Sequence, residues 1–370
     1  MICKSNSDIA YSSLIFTLVV ALIVTIILIS SQPEIDTRQK CRFRNGTTGI
    51  CVQNSKCYVR EKFTGLYIGD DCGGSSDLTC CLQEHILPEG IKDFEIHENF
   101  NHFRNKKCGI VHRYNHHADR QTHDSEFPWI VSLGHINNHL HLKFTCGGSM
   151  ISEKYILTTA QSVMPLEPEF KLSVIRLKHS RSSKHEEDRH LDIKEFKIIP
   201  HSRFDPINLK NDIALIKLDT EIDFESYKIT PVCLPLEKED KIQHELIAIG
   251  KKSRSSRRRP RLLVTQVNNH ECAKTLNELK GAANFGNKSG EIIKVDLHLT
   301  ENQICVYKDS LDSNCQDEHG MPLQSLSTFR GNTIWTQHGI LSIDYSSCEL
   351  PIIYTNVRKY LRWIFDNIEQ

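Results

Sequence analysis

The chain has 370 residues, of which 39% are hydrophobic and 14 are cysteines. Its 46 basic and 46 acidic side chains balance, so no overall charge attracts it to nucleic acid or to an anionic membrane, and no nucleic-acid partner is expected. A chain of this length can bury one full-sized core and still carry a small module, which predicts two domains.

An apolar targeting segment lies near the N-terminus. Residues 14–29, LIFTLVVALIVTIILI, contain no charge. This run is intermediate in length between a long signal-peptide core and a short membrane span. We expect residues 1–31 to be a cleaved signal peptide and the protein to be secreted. Retention as a type II membrane anchor is the alternative, and a membrane contact is expected only in that case.

Residues 41–81 hold six cysteines, and about forty residues cannot bury an adequate core without cross-links. An extracellular address permits disulfides, each contributing about 2–4 kcal/mol. Zinc is the other use of clustered cysteines, but no CxxC pair is present, so no metal site is predicted. The spacing alone leaves fifteen pairings open. The sequons at Asn45 and Asn287 predict glycosylation of a secreted chain.

Residues 82–107 are polar, without clear periodicity, and are predicted to be a linker. From residue 108 onward the sequence shows short apolar runs separated by polar turns, which is typical of a β-barrel. Only the C-terminal stretch RKYLRWIFDNIEQ has helical spacing. The runs taken as strands are residues 129–133, 155–159, 213–218 and 352–357.

Six motifs between residues 126 and 364 identify a family. They are EFPWIVSL, FTCGGSMIS, YILTTA, NDIALIKL, TPVCLP and PIIYTNVRKYLRWI, and together they resemble the chymotrypsin-like serine proteases. With the cysteine module in front, the chain resembles an arthropod clip-domain serine protease homologue. The resemblance implies an all-β fold: a clip domain at 41–81, a linker at 82–107, and a chymotrypsin-like double β-barrel with a C-terminal helix at 108–370.

The same resemblance implies a disulfide pattern. Cys146 would normally pair with a cysteine at the position held here by Ser162, so Cys146 is expected to be an unpaired, buried thiol; an intermolecular bridge is the alternative. The implied pairs are Cys41 with Cys80, Cys51 with Cys72, Cys57 with Cys81, Cys108 with Cys233, Cys272 with Cys305, and Cys315 with Cys348.

Family members cleave peptides with a serine nucleophile, a histidine base and an aspartate that orients the histidine. In this sequence the histidine position holds Gln161, the aspartate position holds Asp212, and the serine position holds His319 in SNCQDEHGMPL. An amide cannot accept a proton at neutral pH, and an imidazole offers no hydroxyl. The resemblance therefore implies a protein without catalytic function, and no new dyad of His319 with Asp212 is expected without a nucleophile.

Two neighbouring positions also depart from the family. The oxyanion-site glycine is Asp317, which brings negative charge to the place where a transition state develops its own. The family aspartate that pairs with the amine released by activation cleavage is Glu318. The cleavage junction itself falls on residues 115–119, NHHAD, with no basic residue before it and no isoleucine after it.

The substrate pocket is expected to be unusable. The resemblance assigns Ser313 to its base, Ser342 and Asp344 to one wall, and Ile352 to a position that is glycine in the family. A β-branched side chain at residue 352 should fill the slot that a substrate side chain would enter.

A cluster of arginines between residues 254 and 261 lies where the family has a mobile surface loop. No acidic residue occurs in this run, which predicts a loop that binds a sulfated glycan or an acidic protein, invites cleavage by trypsin-like enzymes, or is simply solvated. The basic loop comprises Arg254, Arg257, Arg258, Arg259 and Arg261.

The sequence therefore predicts a secreted, non-catalytic serine protease homologue. The resemblance implies that it acts as a cofactor, adaptor or decoy in an extracellular proteolytic cascade of immunity, melanisation or development. Its partners would be extracellular proteases or their zymogen substrates, with sulfated glycans as an additional candidate, and no cofactor is expected. The alternatives are an active trypsin-like endopeptidase and a membrane-anchored adhesion or receptor-like protein.

Overall fold

The structure is a computed structural model that divides into two compact units, Met1–Asp93 and Phe94–Gln370. Within the described residues, no helix is long and apolar enough to cross a membrane, and the apolar run at 14–29 lies outside them. The structure describes residues 40–42, 47–53, 57, 72, 78–82, 86, 92–111, 126–164, 170–178, 190–236, 246–250, 259–282, 299–309, 318–329, 332–344 and 350–369.

The first unit contains a three-stranded antiparallel sheet of β1 (Lys40–Arg42), β2 (Thr48–Gln53) and β3 (Leu78–Cys81) in sequential order. Buried cysteines take the place of a conventional hydrophobic core. Three disulfides cross-link this unit, one joining β1 to β3 and two joining a strand to a residue outside the strands. The bridges are Cys41–Cys80, Cys51–Cys72 and Cys57–Cys81.

The second unit contains a seven-stranded antiparallel sheet. Its strand order is β8-β7-β4-β5-β6-β10-β9. The central strands β6 and β10 read YILT and ALIKL, and nearly all of their side chains are buried. The strands are β4 (Ile130–Ile136), β5 (Leu142–Met150), β6 (Tyr155–Thr158), β7 (Lys171–Lys178), β8 (His190–Ile193), β9 (Phe196–Pro200) and β10 (Ala214–Leu218).

The remaining six strands close into a barrel in the order β11-β12-β13-β16-β15-β14. Inward-facing side chains, including Leu246, Leu323 and Tyr354, fill it. Closure of the barrel leaves it without exposed sheet edges. The loops that connect the strands are therefore the parts available to form a functional site. The strands are β11 (Leu246–Ile249), β12 (Arg261–Val267), β13 (Gln303–Lys308), β14 (Pro322–Phe329), β15 (Asn332–Ile343) and β16 (Ile352–Asn356).

The four strand-like runs of the sequence correspond to β4, β6, β10 and β16, and the mostly-β fold class is confirmed. Two disulfides, Cys108–Cys233 and Cys272–Cys305, join described residues of this unit. The helices among the described residues are α1 (Glu98–Asn105), α2 (Ala160–Val163), α3 (Phe224–Tyr227), α4 (Asn269–Ala282) and α5 (Leu361–Asp366).

The expectation that only the C-terminus is helical was wrong, because α4 runs for 14 residues. Its buried Cys272 and Leu276 are four residues apart and therefore lie on one face. Cys272 is also bridged to Cys305 of β13. This helix was not predicted because its sequence is mostly polar. Tertiary packing and a disulfide stabilise the helix more than its own apolar pattern does.

The predicted linker also needs correction at its C-terminal end. Helix α1 lies inside it, and Phe103 belongs to the main hydrophobic core, with its ring centroid 5.5 Å from that of Phe365. The side-chain amide of Asn99 donates hydrogen bonds to the backbone carbonyls of Phe365 (3.0 Å) and Ile368 (2.9 Å) at the C-terminal helix. This part of the chain is therefore integral to the second unit.

Candidate degenerate active site

Three of the predicted site residues converge from separate elements. Gln161 lies in α2, Asp212 precedes β10 and His319 precedes β14. Ser342, near the end of β15, contacts all three of them. The structure thus brings together the three residues that the resemblance assigns to the triad positions.

Asp212 is fully buried and accepts three hydrogen bonds. The donors are the backbone N–H of Gln161 (2.9 Å), the side-chain amide of Gln161 (2.6 Å) and the hydroxyl of Ser342 (2.6 Å). Burial raises the pKa of this carboxyl group above its usual value. The hydrogen bonds from Ser342 and Gln161 offset only part of that increase. Asp212 is consequently a structural acceptor that fixes Gln161.

Gln161, which the resemblance assigns to the position of the base, acts as a hydrogen-bond donor in the structure. Its Nε2 donates to Asp212 and also to the backbone carbonyl of Ser342, each at 2.6 Å. Both amide hydrogens are therefore committed. A carboxamide nitrogen has no basic lone pair, so this group cannot take a proton from a nucleophile.

The ring of His319, the residue that the resemblance assigns to the nucleophile position, also contacts Ser342. Its Nδ1 lies 3.0 Å from the backbone carbonyl of Ser342. Because a carbonyl only accepts, Nδ1 carries the hydrogen in this arrangement. The side chain is half-buried and presents no hydroxyl or thiol. The backbone carbonyl of Ser342 therefore accepts hydrogen bonds from both Gln161 and His319.

The short segment 318–321 docks firmly against β5. The backbone N–H of Gly147 donates to the carbonyl of His319 at 2.8 Å. Gly320 has a φ of +85°, and a Cβ there would lie 2.1 Å from the carbonyl oxygen of Gly147. Only glycine fits both the left-handed backbone and this close approach.

Of the three predicted substrate-pocket residues that the structure describes, Ser342 and Ile352 are buried and Asp344 is half-buried. Ile352 has no exposed surface and packs in the barrel core with Met321, Leu341 and Tyr354. Ser342 is engaged with Asp212. The β-branched side chain at residue 352 therefore belongs to the core of the barrel.

The basic loop prediction requires a correction. Arg259 and Arg261 are not solvated cations: Arg259 binds Glu318 at 2.7 Å, and Arg261 forms an ion pair with Glu126. Their side chains are 15% and 12% exposed. Only three of the five arginines remain candidates for a free basic surface.

Several predicted site residues lie outside the described residues. The activation junction at 115–119 and the N-terminal segment 1–31 are also outside them. The remaining residues are Asn45, Arg254, Arg257, Arg258, Asn287, Ser313, Cys315, Asp317 and Cys348.

Cys146 is an unpaired thiol beside Ser162 in the structure, and it is half-buried, less enclosed than the predicted buried thiol. Burial raises the pKa of this thiol, and hydrogen bonds from Ser162 and Thr145 partly oppose the shift. Because alkylation requires the thiolate, iodoacetamide should label Cys146 about tenfold more slowly in the folded protein than in urea.

The labelling rate of the folded protein should rise as pH passes above the ordinary thiol range, since the neutral thiol is favoured in the folded state. Mass spectrometry of the labelled peptide measures the rate, and Cys146→Ala is the control that should remove it. Rapid labelling of the folded protein at neutral pH, or a disulfide-linked dimer that Cys146→Ala abolishes, contradicts the buried-thiol prediction.

Comparison with known proteins agrees with this architecture. The trypsin family model matches residues 117–364, well over half of the chain, and the chain therefore belongs to the trypsin family. Its relatives include proteins named as CLIP domain-containing serine proteases of Bombyx mori and Anopheles gambiae. This chain has the same organisation, a clip domain followed by a trypsin-like domain.

Among the relatives, Serine protease grass of Drosophila melanogaster is 29% identical over 90% of this chain and 92% of its own length. Phenoloxidase-activating factor 1 of Holotrichia diomphalia is 26% identical over 90% of this chain and 95% of its own. The crystal structure of the Drosophila Grass clip serine protease of the Toll pathway matches with a TM-score of 0.59 and 23% identity, covering 89% of this chain and 97% of that one. That likeness shows a shared fold.

Proposed function

We propose that this chain is a non-catalytic member of the trypsin family that binds other proteins and does not cut them. The observation that carries the proposal is the geometry of Gln161, whose amide donates to both Asp212 and Ser342. General-base catalysis requires an acceptor at that position. A donor held by two short hydrogen bonds cannot perform the step.

Other features support the same conclusion. His319 supplies no nucleophile, and Ile352 is packed into the barrel core. The sequence also places Asp317 at the oxyanion position and lacks an activation junction at 115–119. Donors at an oxyanion site contribute about 3–4 kcal/mol, and a carboxylate there would oppose the transition state.

The proposed role is that of a cofactor, adaptor or decoy in an extracellular proteolytic cascade. Support comes from the relatives: one is named a phenoloxidase-activating factor, and the matching crystal structure is of a clip protease of the Toll pathway. We propose partners of the same class, namely extracellular proteases or their zymogens, in immunity, melanisation or development. The disulfide-bridged first unit supports an extracellular location.

The test combines an activity assay with a binding assay. The purified full-length chain should hydrolyse no peptide amide or ester substrate and should not be labelled by a serine-directed phosphonate. It should nevertheless retain clip-protease zymogens from body fluid in affinity capture. Phosphonate labelling that disappears on denaturation would support the active-endopeptidase alternative, and the absence of any retained protease would remove the proposed role.

A contact with sulfated glycans is proposed only for Arg257, Arg258 and their neighbour Arg254. Replacing Arg257 and Arg258 by alanine should lower the salt concentration at which heparin releases the protein, because exposed charges are screened over about 8 Å at physiological ionic strength. The stability change should stay below about 0.5 kcal/mol.

The matched control is Arg203→Ala, which removes one exposed arginine elsewhere on the surface. Heparin chromatography and thermal melting are the two measurements. Equal elution of the double variant and the wild type would show that residues 254–258 do not contribute to glycan binding. Slower nicking of the double variant by trypsin would then still identify the loop as a cleavage site.

A further inference from the structure

Arg259 joins three separate parts of the second unit. It lies just before β12, its Nη1 donates to Oε2 of Glu318 at 2.7 Å, and its Nη2 donates to the hydroxyl of Ser132 in β4 at 3.2 Å. The guanidinium thereby links the barrel, the segment 318–321 and the seven-stranded sheet. Both partners of the ion pair are largely buried, with side-chain exposures of 15% and 7%.

Glu318 is the first residue of the docked segment. Its backbone carbonyl accepts from the N–H of Met321 at 3.2 Å, and the N–H of Gly320 donates to Leu341 at 2.9 Å. With the bond from Gly147 to His319, these contacts define one conformation of the segment. A buried carboxylate at its start favours this conformation only where a cation faces it, since desolvation of an unpaired charge is costly.

The resemblance to the chymotrypsin-like proteases assigns Glu318 to the position of the family's activation aspartate. In the family, the carboxylate at this position pairs with the amine that activation cleavage releases. In this chain the junction at 115–119 has no basic residue for an activating protease to recognise. The cation that faces Glu318 in the structure instead comes from the body of the unit.

We propose that Arg259 is an internal substitute for the released amine. It holds the segment 318–321 in its docked conformation in the uncleaved chain, so the surface around the degenerate site is assembled without proteolytic activation. A partner would meet this surface in the protein as it is synthesised and secreted. The inference goes beyond the non-catalytic role and does not depend on it.

Hydrogen exchange of the intact, uncleaved chain tests the inference. The amides of Gly147, Gly320 and Leu341 report directly on the docked segment, since all three donate across it. In the wild type they should be protected. Arg259→Ala should raise their exchange rates by about tenfold or more, because the docked state then holds a buried carboxylate without this cation and local opening returns that carboxylate to water.

Two further variants make the result specific. Arg259→Lys keeps the charge and should restore part of the protection, although an ammonium cannot reach Glu318 and Ser132 in the same forked geometry. Arg203→Ala, an exposed arginine, should leave all three amides unchanged. If Arg259→Ala does not fold, the double variant Arg259→Met/Glu318→Gln should fold because no unpaired charge is left buried. It should still exchange faster than the wild type at these amides, because the hydrogen bonds from the guanidinium to residues 318 and 132 are absent.

Cutting the chain near the predicted activation junction tests whether a released amine, and not Arg259, orders the segment 318–321. A site-specific protease sequence inserted between residues 112 and 125 should leave the wild-type exchange pattern unchanged before and after cutting. Amides that become protected only after cutting would overturn the inference, as would unchanged exchange in Arg259→Ala or in the double variant. None of these readings uses peptidase activity or partner capture, so this inference and the proposed function fail independently.

Discussion

The double variant Gln161→His/His319→Ser is expected to show no measurable peptidase activity. In subtilisin, a serine protease of unrelated fold with the same triad, loss of the triad lowers kcat by about a millionfold, so a working restoration would be conspicuous. Asp212 is positioned to accept a hydrogen bond from an imidazole at residue 161, because it already accepts one from Gln161 at 2.6 Å. The orienting carboxylate is therefore not the missing part.

The remaining obstacles lie elsewhere in the site. Ile352 is packed inside the barrel core, where a substrate side chain would need space. The sequence places Asp317 where backbone donors should face the oxyanion, and donors of this kind are worth about 10²–10³ in kcat. Both defects persist in the double variant.

Hydrolysis of a small ester, a peptide amide substrate and labelling by a phosphonate are the measurements. The wild-type protein sets the background, and thermal melting verifies that the variant is folded. Adding Asp317→Gly and Ile352→Gly to the double variant provides a graded comparison. Turnover in the double variant alone, blocked by the phosphonate, would show that residues 317 and 352 do not prevent catalysis.

Arg261→Ala is expected to cost about 3–5 kcal/mol of folding free energy, the range found when one partner of a buried ion pair is removed. Arg261 faces Glu126, which is only 1% exposed, and its guanidinium lies 6.0 Å from the ring centroid of Phe127. The substitution removes this cation while the carboxylate stays buried. Urea denaturation monitored by tryptophan fluorescence gives the change.

Arg176→Ala is the matched control. Arg176 binds Asp192 through two hydrogen bonds of 2.7 Å, but both side chains are about one-third exposed. Exposed pairs contribute about 0–1 kcal/mol, so this variant should be nearly as stable as the wild type. Similar losses for Arg176→Ala and Arg261→Ala would contradict the buried-pair interpretation. A double variant with Glu126→Gln should recover part of the loss at Arg261.

Much of the fold could be predicted because its signals are local. Strands such as YILT and ALIKL are short apolar runs bounded by polar turns, and they lie at the buried centre of the sheet. The positions of Gln161, Asp212 and His319 followed from motifs with fixed neighbours. The structure brings these three residues together around Ser342.

The missed features depend on contacts between distant residues. Nothing in the run RRRPR shows that Arg259 faces Glu318, 59 residues away, or that Arg261 faces Glu126. Helix α1 was taken for linker because its pattern is mostly polar; its stabilising contacts come from Phe365 and Ile368 at the other end of the chain. A single sequence carries no local signal for such pairs.

Helix α1 has a practical consequence for recombinant expression of the second unit. A fragment started at Cys108 would discard Phe103 and the amide of Asn99, leaving an apolar patch on the C-terminal helix open to water and two backbone carbonyls without these donors. Such a fragment should aggregate more readily than one started at Lys92. A purification tag is better placed away from Gln370, since the carbonyl of Ile368 is already bound by Asn99.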